Sequence, residues 1–361
     1  MLDDALRLTA YLGERDRCGG QLLADAVSEV CERHGVRASM LLRGIEGFGI
    51  RHRLQTERLL SLSEDLPILA TALDTPVRMM AVLEDIRRIT RHGLITLERV
   101  RMVDAEALDP GFSPPAGEVK LTIYLGRRER AAGRPAYMAV VDCLQRHGLD
   151  GATVLLGLDG TAHGERRRGR FLARNEHVPL MVLSVGEGRG IARALPDLAA
   201  MLNRPTMTLE RVRVCRRDGV QLAAPVWAPS LDTAGLAYWQ KLVVHSSERA
   251  RHGDEPLYSA IVRRLRHEGA AGATAIRGQW GYHGDHPPHG ERFWSLARHV
   301  PVLTVVIDTP ANARRWFEII AEMTARTGLL TSEIVPALRA AGPEIEHGGL
   351  LLAAPLDRPR G

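Results

Sequence analysis

The sequence predicts an α+β chain of three tandem β-α-β-β-α-β units. Three observations carry this. A Gly-x-x-Gly stretch is written three times, as Gly44-Ile45-Glu46-Gly47, Gly157-Leu158-Asp159-Gly160 and Gly278-Gln279-Trp280-Gly281. Landmarks recur at long, near-constant spacing: Tyr11-Leu12-Gly13 returns as Tyr124-Leu125-Gly126, 113 residues on. Units near 100 residues can each bury a core, whereas solenoid repeats are about 20 to 50 residues.

In the first unit, residues 6–13 alternate apolar with other residues, the period of a strand. Residues 21–34 place Leu23, Ala26, Val27 and Val30 on one helical stripe, and Gly35 stops it. Residues 38–42 form a strand running into the Gly-x-x-Gly, followed by a loop with Arg51, His52 and Arg53. A strand over 68–73 leads to Asp74-Thr75-Pro76, a helix start, and a helix to about His92. Residues 95–103 form the last strand. The second unit repeats Thr96-Leu97-Glu98-Arg99-Val100-Arg101 as Thr208-Leu209-Glu210-Arg211-Val212-Arg213. The third repeats Gly151-Ala152-Thr153 as Gly272-Ala273-Thr274 and Asp74-Thr75-Pro76 as Asp308-Thr309-Pro310. Pro- and Gly-rich linkers set the expected boundaries at 1–103, 119–215 and 238–341.

The chain has 361 residues, 45% hydrophobic and only 4% aromatic, so its cores must be aliphatic. Its net charge is +5, carried almost wholly by arginine; Lys120 and Lys241 are its lysines, a scarcity we read as compositional bias. Cys18, Cys31, Cys143 and Cys215 form no C-x-x-C pair, and Cys31 and Cys143 fall in helices as small apolar residues. No secretory signal and no run long enough to span a membrane is visible, so a cytoplasmic protein is expected.

Tyr11-Leu12-Gly13, Arg43-Gly44-x-x-Gly47-Phe48-Gly49 and Leu62-Ser63-Glu64-Asp65-Leu66-Pro67 resemble the domain-of-unknown-function 190 family, itself similar to the PII-like signalling proteins. The resemblance implies ferredoxin-like units. It also implies that three units assemble around an axis, here as an intramolecular pseudo-trimer of one chain rather than a homotrimer. PII-like proteins hold small ligands in clefts between units and act on a partner through the loop after the second strand. The expected function is therefore non-enzymatic regulation. A small anionic ligand or nucleotide would bind, and a partner, a membrane transport protein on this resemblance, would be touched by the loops. Arg43, Gly44, Gly47, Gly49, Arg51 and Arg53 are the candidate ligand residues. The second unit has Thr161-Ala162 where the first has Phe48-Gly49, so the first is the better candidate.

Three further stretches carry chemistry. Gly186-Glu187-Gly188-Arg189-Gly190 sits between a strand and a helix; Ile191 stands where a dinucleotide fingerprint needs glycine, so we expect a simple turn. His283, Asp285, His286 and His289 are competent metal ligands, and a CutA-like metal-binding protein is the first rival reading. A structural adaptor without a small ligand is the second. Glu165-Arg166-Arg167-Arg168-Gly169-Arg170 is basic but lacks interleaved aromatics, so nucleic acid is not expected. No nucleophile elbow, H-E-x-x-H or cysteine nucleophile context appears, and no cofactor is expected.

Overall fold

The structure, a computed structural model, describes residues 2–49, 53–56, 65–106, 108, 116–162, 165–168, 178–227, 238–283, 289–290 and 300–341. The first unit comprises β1 (Leu2–Gly13), α1 (Leu23–Arg33), β2 (Ala38–Arg43), β3 (Glu46–Phe48), β4 (Pro67–Asp74), α2 (Pro76–Ile89) and β5 (Gly93–Val103). The second comprises β6 (Glu118–Gly126), α3 (Ala136–Arg146), β7 (Gly151–Leu156), β8 (Asp159–Ala162), β9 (Pro179–Glu187), α4 (Gly188–Met201), β10 (Thr206–Arg211) and β11 (Arg213–Arg217). The third comprises β12 (Tyr238–Ser247), α5 (Leu257–His267), β13 (Ala273–Arg277), β14 (Trp280–His283), β15 (Pro301–Asp308), α6 (Pro310–Met323) and β16 (Leu329–Ala341).

Each unit makes the same antiparallel sheet, with its strands in the orders β2-β4-β1-β5, β7-β9-β6-β10 and β13-β15-β12-β16. Two helices cover one face. The alternation of β1 explains both of its sides. Leu6, Leu8, Ala10 and Leu12 pack under α1 and α2, with Val27, Val30, Val82, Leu83 and Ile86. Ala5, Arg7, Thr9 and Tyr11 alternate with them and point the other way. A short hairpin, Arg17–Cys18 with Gln21–Leu22, precedes α1, so that helix starts two residues later than the stripe suggests. Gly35 adopts φ +56° and ends the segment as expected, whereas α2 stops at Ile89 rather than at His92. All four cysteines are free thiols; Cys31, Cys143 and Cys215 are buried.

The second face of each sheet is also buried, against the other units. Met40, Leu42, Leu69, Leu155, Met181, Ile276 and Leu303 form one cluster drawn from all three. Strand pairing crosses the unit boundaries twice. The last strands join pairwise: β5 with β10, β11 with β16, and β16 with β5. The short strands that carry the Gly-x-x-Gly act as hooks. β3 of unit one pairs with β13 of unit three, β14 of unit three with β7 of unit two, and β8 of unit two with β2 of unit one. Both sets of pairings close a cycle.

The hooks bring hydrophobic anchors. Phe48 is buried in the core of unit three, beside Leu257 and Ile261. Tyr282 is buried in the core of unit two, and its hydroxyl donates to the Leu149 carbonyl at 2.9 Å. Glycine is required because the hook lies against a neighbour's backbone: a Cβ on Gly160 would stand 2.1 Å from the Ser39 oxygen, and one on Gly47 2.7 Å from the Ala273 oxygen. Gly160→Ala should therefore destabilise the chain by about 3 kcal/mol, the upper range for overpacking, in urea unfolding. Gly49→Ala, whose Cβ would meet nothing within 4 Å, should leave the midpoint within about 0.5 kcal/mol of the parent.

Candidate functional site

Among the described residues two cavities lie between units, and a ring of charges lines one of them. The ring starts from one position in each first strand. Arg7, Lys120 and Lys241 stand at equivalent places in β1, β6 and β12, on the side away from the helices. Glu98, Glu210 and Glu333 stand at equivalent places in β5, β10 and β16. Arg7 pairs with Glu98 of its own unit and, at 2.5 Å, with Glu210 of unit two. Lys120 Nζ pairs with Glu210 at 3.1 Å and Glu333 at 2.7 Å. Lys241 Nζ pairs with Glu333 and Glu98, both at 2.9 Å. Every cation thus bridges its own glutamate to the next unit's, and the circuit closes. Each of the six residues is at most 9% exposed.

Burial shapes the titration of this ring. For Glu98 burial alone would raise the pKa, but Arg7, Lys241 and Lys120 overcome it and hold the carboxyl far below the usual carboxylate range. Burial opposes ionisation of Glu333 too, and Lys120 and Lys241 hold it low. For Lys241 burial favours the neutral amine, yet Glu333 and Glu98 raise it well above an ordinary lysine. Tyr11, beside the ring, is raised chiefly by burial.

The first cavity is a cleft of about 70 Å³ between units one and three. Unit one supplies Tyr11, Phe48, Gly49 and Gly93; unit three supplies Trp239 and the start of β13 at Ala271–Thr274. The second, of about 100 Å³, lies at the junction of all three units, over the charge ring.

Of the predicted ligand residues, Gly49 lines the first cleft. Gly44 and Gly47 lie against Pro67 and β13 instead: a Cβ on Gly44 would stand 2.6 Å from Pro67 Cγ and 3.1 Å from the Ala275 oxygen, and one on Gly47 2.7 Å from the Ala273 oxygen. Their close approach is to protein: Pro67 of their own unit and the neighbouring unit's backbone. Arg43 pairs with Glu14 at 3.0 Å, and Glu14 also reaches the Leu66 amide. Arg53 is exposed, and Arg51 lies outside the described residues. Asp65 anchors the base of the segment, accepting from the Arg15 amide at 2.7 Å and from Gln55 at 3.1 Å.

His283 ends β14 and His289 begins the two-residue strand that pairs back onto it; Asp285 and His286 lie outside the described residues. Among the described residues, potential metal-ligand groups converge at Cys143, His147 and Asp197 and at the three ring glutamates. In the ring, the lysines and Arg7 already fill the place of a cation. His147 is bonded to Asp197 at 2.8 Å, as its counterpart His34 is to Asp85 at 2.9 Å, so these pairs clamp the two helices together.

Gly186 and Gly190 are a packing solution. Added Cβ atoms there would meet Leu149 Cδ2 at 2.9 and 3.0 Å. The Gly188 amide, which opens α4, already donates to Gly117. The basic run 165–168 is a short strand paired with β8; Gly169 and Arg170 lie outside the described residues.

Lys120 and Lys241 were the residues that composition alone discounted. Their signal was positional: 7, 120 and 241 share the repeat spacing, as do the glutamates of Thr96-Leu97-Glu98, Thr208-Leu209-Glu210 and Thr331-Ser332-Glu333.

Removing one partner of such a ring strands the others. Glu98→Gln should cost about 3–5 kcal/mol in denaturant unfolding. The pH dependence follows from the signs. Glu98 and Glu333 are lowered on folding, so their contribution is complete above the unfolded value of about 4.3 and is lost as pH falls below it. Lys241 is raised on folding, so its contribution is complete below about 10.4 and is lost as pH rises further. A urea midpoint followed from pH 2 to 11 should show a plateau between those limits, and Glu98→Gln should flatten the acid limb.

The DUF190 family, described as "Uncharacterized ACR, COG1993", matches three segments, residues 5–102, 118–214 and 239–337. A "UPF0166 protein" of Aquifex aeolicus (strain VF5) is 29% identical over 80 residues, covering 22% of this chain and 82% of that protein. A crystal structure of aspartate kinase from Synechocystis aligns over 93% of this chain and 52% of its own, at 14% identity and a TM-score of 0.26. The chain thus spans about half the length of that enzyme, and a likeness so slight carries no argument. No described helix is long and apolar enough to cross a membrane. The three matched segments together span most of the sequence, and the chain belongs to the DUF190 family, in three tandem copies.

Proposed function

We propose that this protein is a non-enzymatic, cytoplasmic, PII-like regulator that binds a small anionic ligand or nucleotide in the cleft between units one and three. The observation that carries this reading is the position of that cleft. It lies where Phe48-Gly49 of the first Gly-x-x-Gly hook meets the start of β13. The chain then leaves Gly49 for the segment with Arg51 and Arg53. A ligand there would touch two units and the root of that segment at once, so its binding would be linked to the segment's arrangement. Tyr11 and Trp239 offer flat apolar surface, and in this reading the arginines of the segment that follows Gly49 supply charge to an anion. The ordered or released segment would then gain or lose a protein partner, for which a membrane transport protein is our expectation.

We further propose that the units are ferredoxin-like and that one chain forms an intramolecular pseudo-trimer. The repeated strand order and the two closed cycles of inter-unit pairing support this. Linking the units in one chain raises the effective concentration of each interface and lets the three clefts diverge.

Sedimentation equilibrium should return the mass of a single chain, 39.7 kDa; a stable assembly of three chains would count against the intramolecular reading. A thermal-shift series with nucleotides and inorganic phosphate tests the cleft. A ligand at a hundredfold excess over its Kd should stabilise the fold by about 2.7 kcal/mol. Gly49→Leu should abolish that shift and leave the ligand-free Tm close to the parent's, because its side chain enters open space in the cleft. A shift that survives Gly49→Leu places the ligand elsewhere.

A further inference from the structure

The cavity over the charge ring has features of its own. Its walls come from equivalent positions in all three units: Leu42, Leu155 and Ile276 from the second strands, and Leu69, Met181 and Leu303 from the third. These side chains are apolar and, within each triplet, close in size. At the other end stand Arg7, Lys120 and Lys241, with Glu98 and Glu333 between them. Three cations but only two of the three ring glutamates line the space; Glu210 pairs with Arg7 and Lys120 from outside the lining, so the excess of cations is local to the cavity wall.

Donors remain at that end. An ammonium carries three N–H groups, and each lysine contacts two carboxylates. One N–H on Lys120 and one on Lys241 are left by those contacts. Thr71 lines the same cavity; the residue is 6% exposed, and its hydroxyl has no hydrogen-bond partner among the described residues. Buried polar groups normally find partners, and an unpartnered one beside a cavity is a candidate to meet a group that enters from outside. At about 100 Å³ the space exceeds the roughly 10–15 Å³ that one water needs.

We propose that this central cavity is a second ligand site, distinct from the lateral cleft, and that it takes a short aliphatic monocarboxylate of about four to six carbons. The carboxylate accepts from the spare lysine donors and from Thr71. The alkyl chain packs against the two apolar triplets. The fit follows from the division of the cavity into a cationic end and an aliphatic wall: a neutral alcohol would leave the lysine donors poorly matched, and an alkylammonium would meet like charge. A ligand seated there would contact all three units and tighten their junction.

The test uses the full chain and pentanoate, with 1-pentanol and pentylammonium as controls, read by calorimetric titration and by Tm. Pentanoate should bind and raise Tm, and each control should bind at least tenfold more weakly. Leu183 and Val305 line the cavity and are only half-buried, so Leu183→Trp fills it with little overpacking. That variant should keep the parent's ligand-free Tm and lose pentanoate binding by more than tenfold. Thr71→Val, which keeps the shape and removes the hydroxyl, should weaken binding severalfold. Gly49→Leu should leave it unchanged, which separates this site from the lateral cleft. If Leu183→Trp fails to fold, crystals soaked in 4-bromobutyrate decide the matter: bromine scattering between the apolar triplets supports the site. Pentanoate and pentanol binding alike, no binding of pentanoate to the parent, or bromine found only elsewhere would each overturn the proposal.

Discussion

Three cations and three carboxylates buried in one closed ring set the terms for the rest of the molecule. Taking six charges out of water is costly, and attraction between them offsets the cost only when every partner is in place. Here each cation touches two glutamates and each glutamate two cations, and no unit contains a complete set. The ring is therefore satisfied only when all three sheets meet in one register. A slip of one residue in any first strand would turn its cation toward the helices and strand two glutamates. A ring of this kind penalises every other register, while net stability comes from the apolar cores around it.

The hooks solve the complementary problem at the periphery. Every sheet has helices on one face and other units on the other, so its edge strands would be exposed unless paired. Each hook covers the second strand of a neighbour, and the last strands cover one another. Phe48 and Tyr282 then fill cores that are not their own. A unit cut from the chain would lose its edge partner and its ring partners, and units two and three would each lack an aromatic from their cores. The Gly-x-x-Gly is thus first an assembly device. Among the described residues, only its far end, at Phe48 and Gly49, borders a cleft.

Threefold repetition is imperfect, and the departures are where function has room. The ring holds one arginine and two lysines. The position of Tyr11 is tyrosine again in unit two and His245 in unit three. Asp74 and Asp308 tie the third strand to the start of the second, accepting from the Arg37 and Ala271 amides at 2.7 and 2.9 Å. Unit two has Gly186 there and packs Leu149 into the space. Tyr11 lines both the lateral cleft and the central cavity, so a ligand in either would bear on the same side chain.

The sequence by itself determined the units and their elements. Period-two alternation in residues 6–13, the stripe of Leu23, Ala26, Val27 and Val30, and the Asp74-Thr75-Pro76 start are local signals, and local physics honours them. The repeat spacing likewise determined that three copies exist. What only the tertiary structure decided is who meets whom. Arg7 lies 203 residues from Glu210, Lys120 213 from Glu333 and Lys241 143 from Glu98. Spacing says nothing about contacts closed over such distances, and in composition the two lysines were mere rarities. The same holds for Gly44 and Gly47. Their freedom to approach something closely was legible in the chain, but whether that something is a ligand or a neighbour's backbone depends on sheets the chain builds more than 200 residues later.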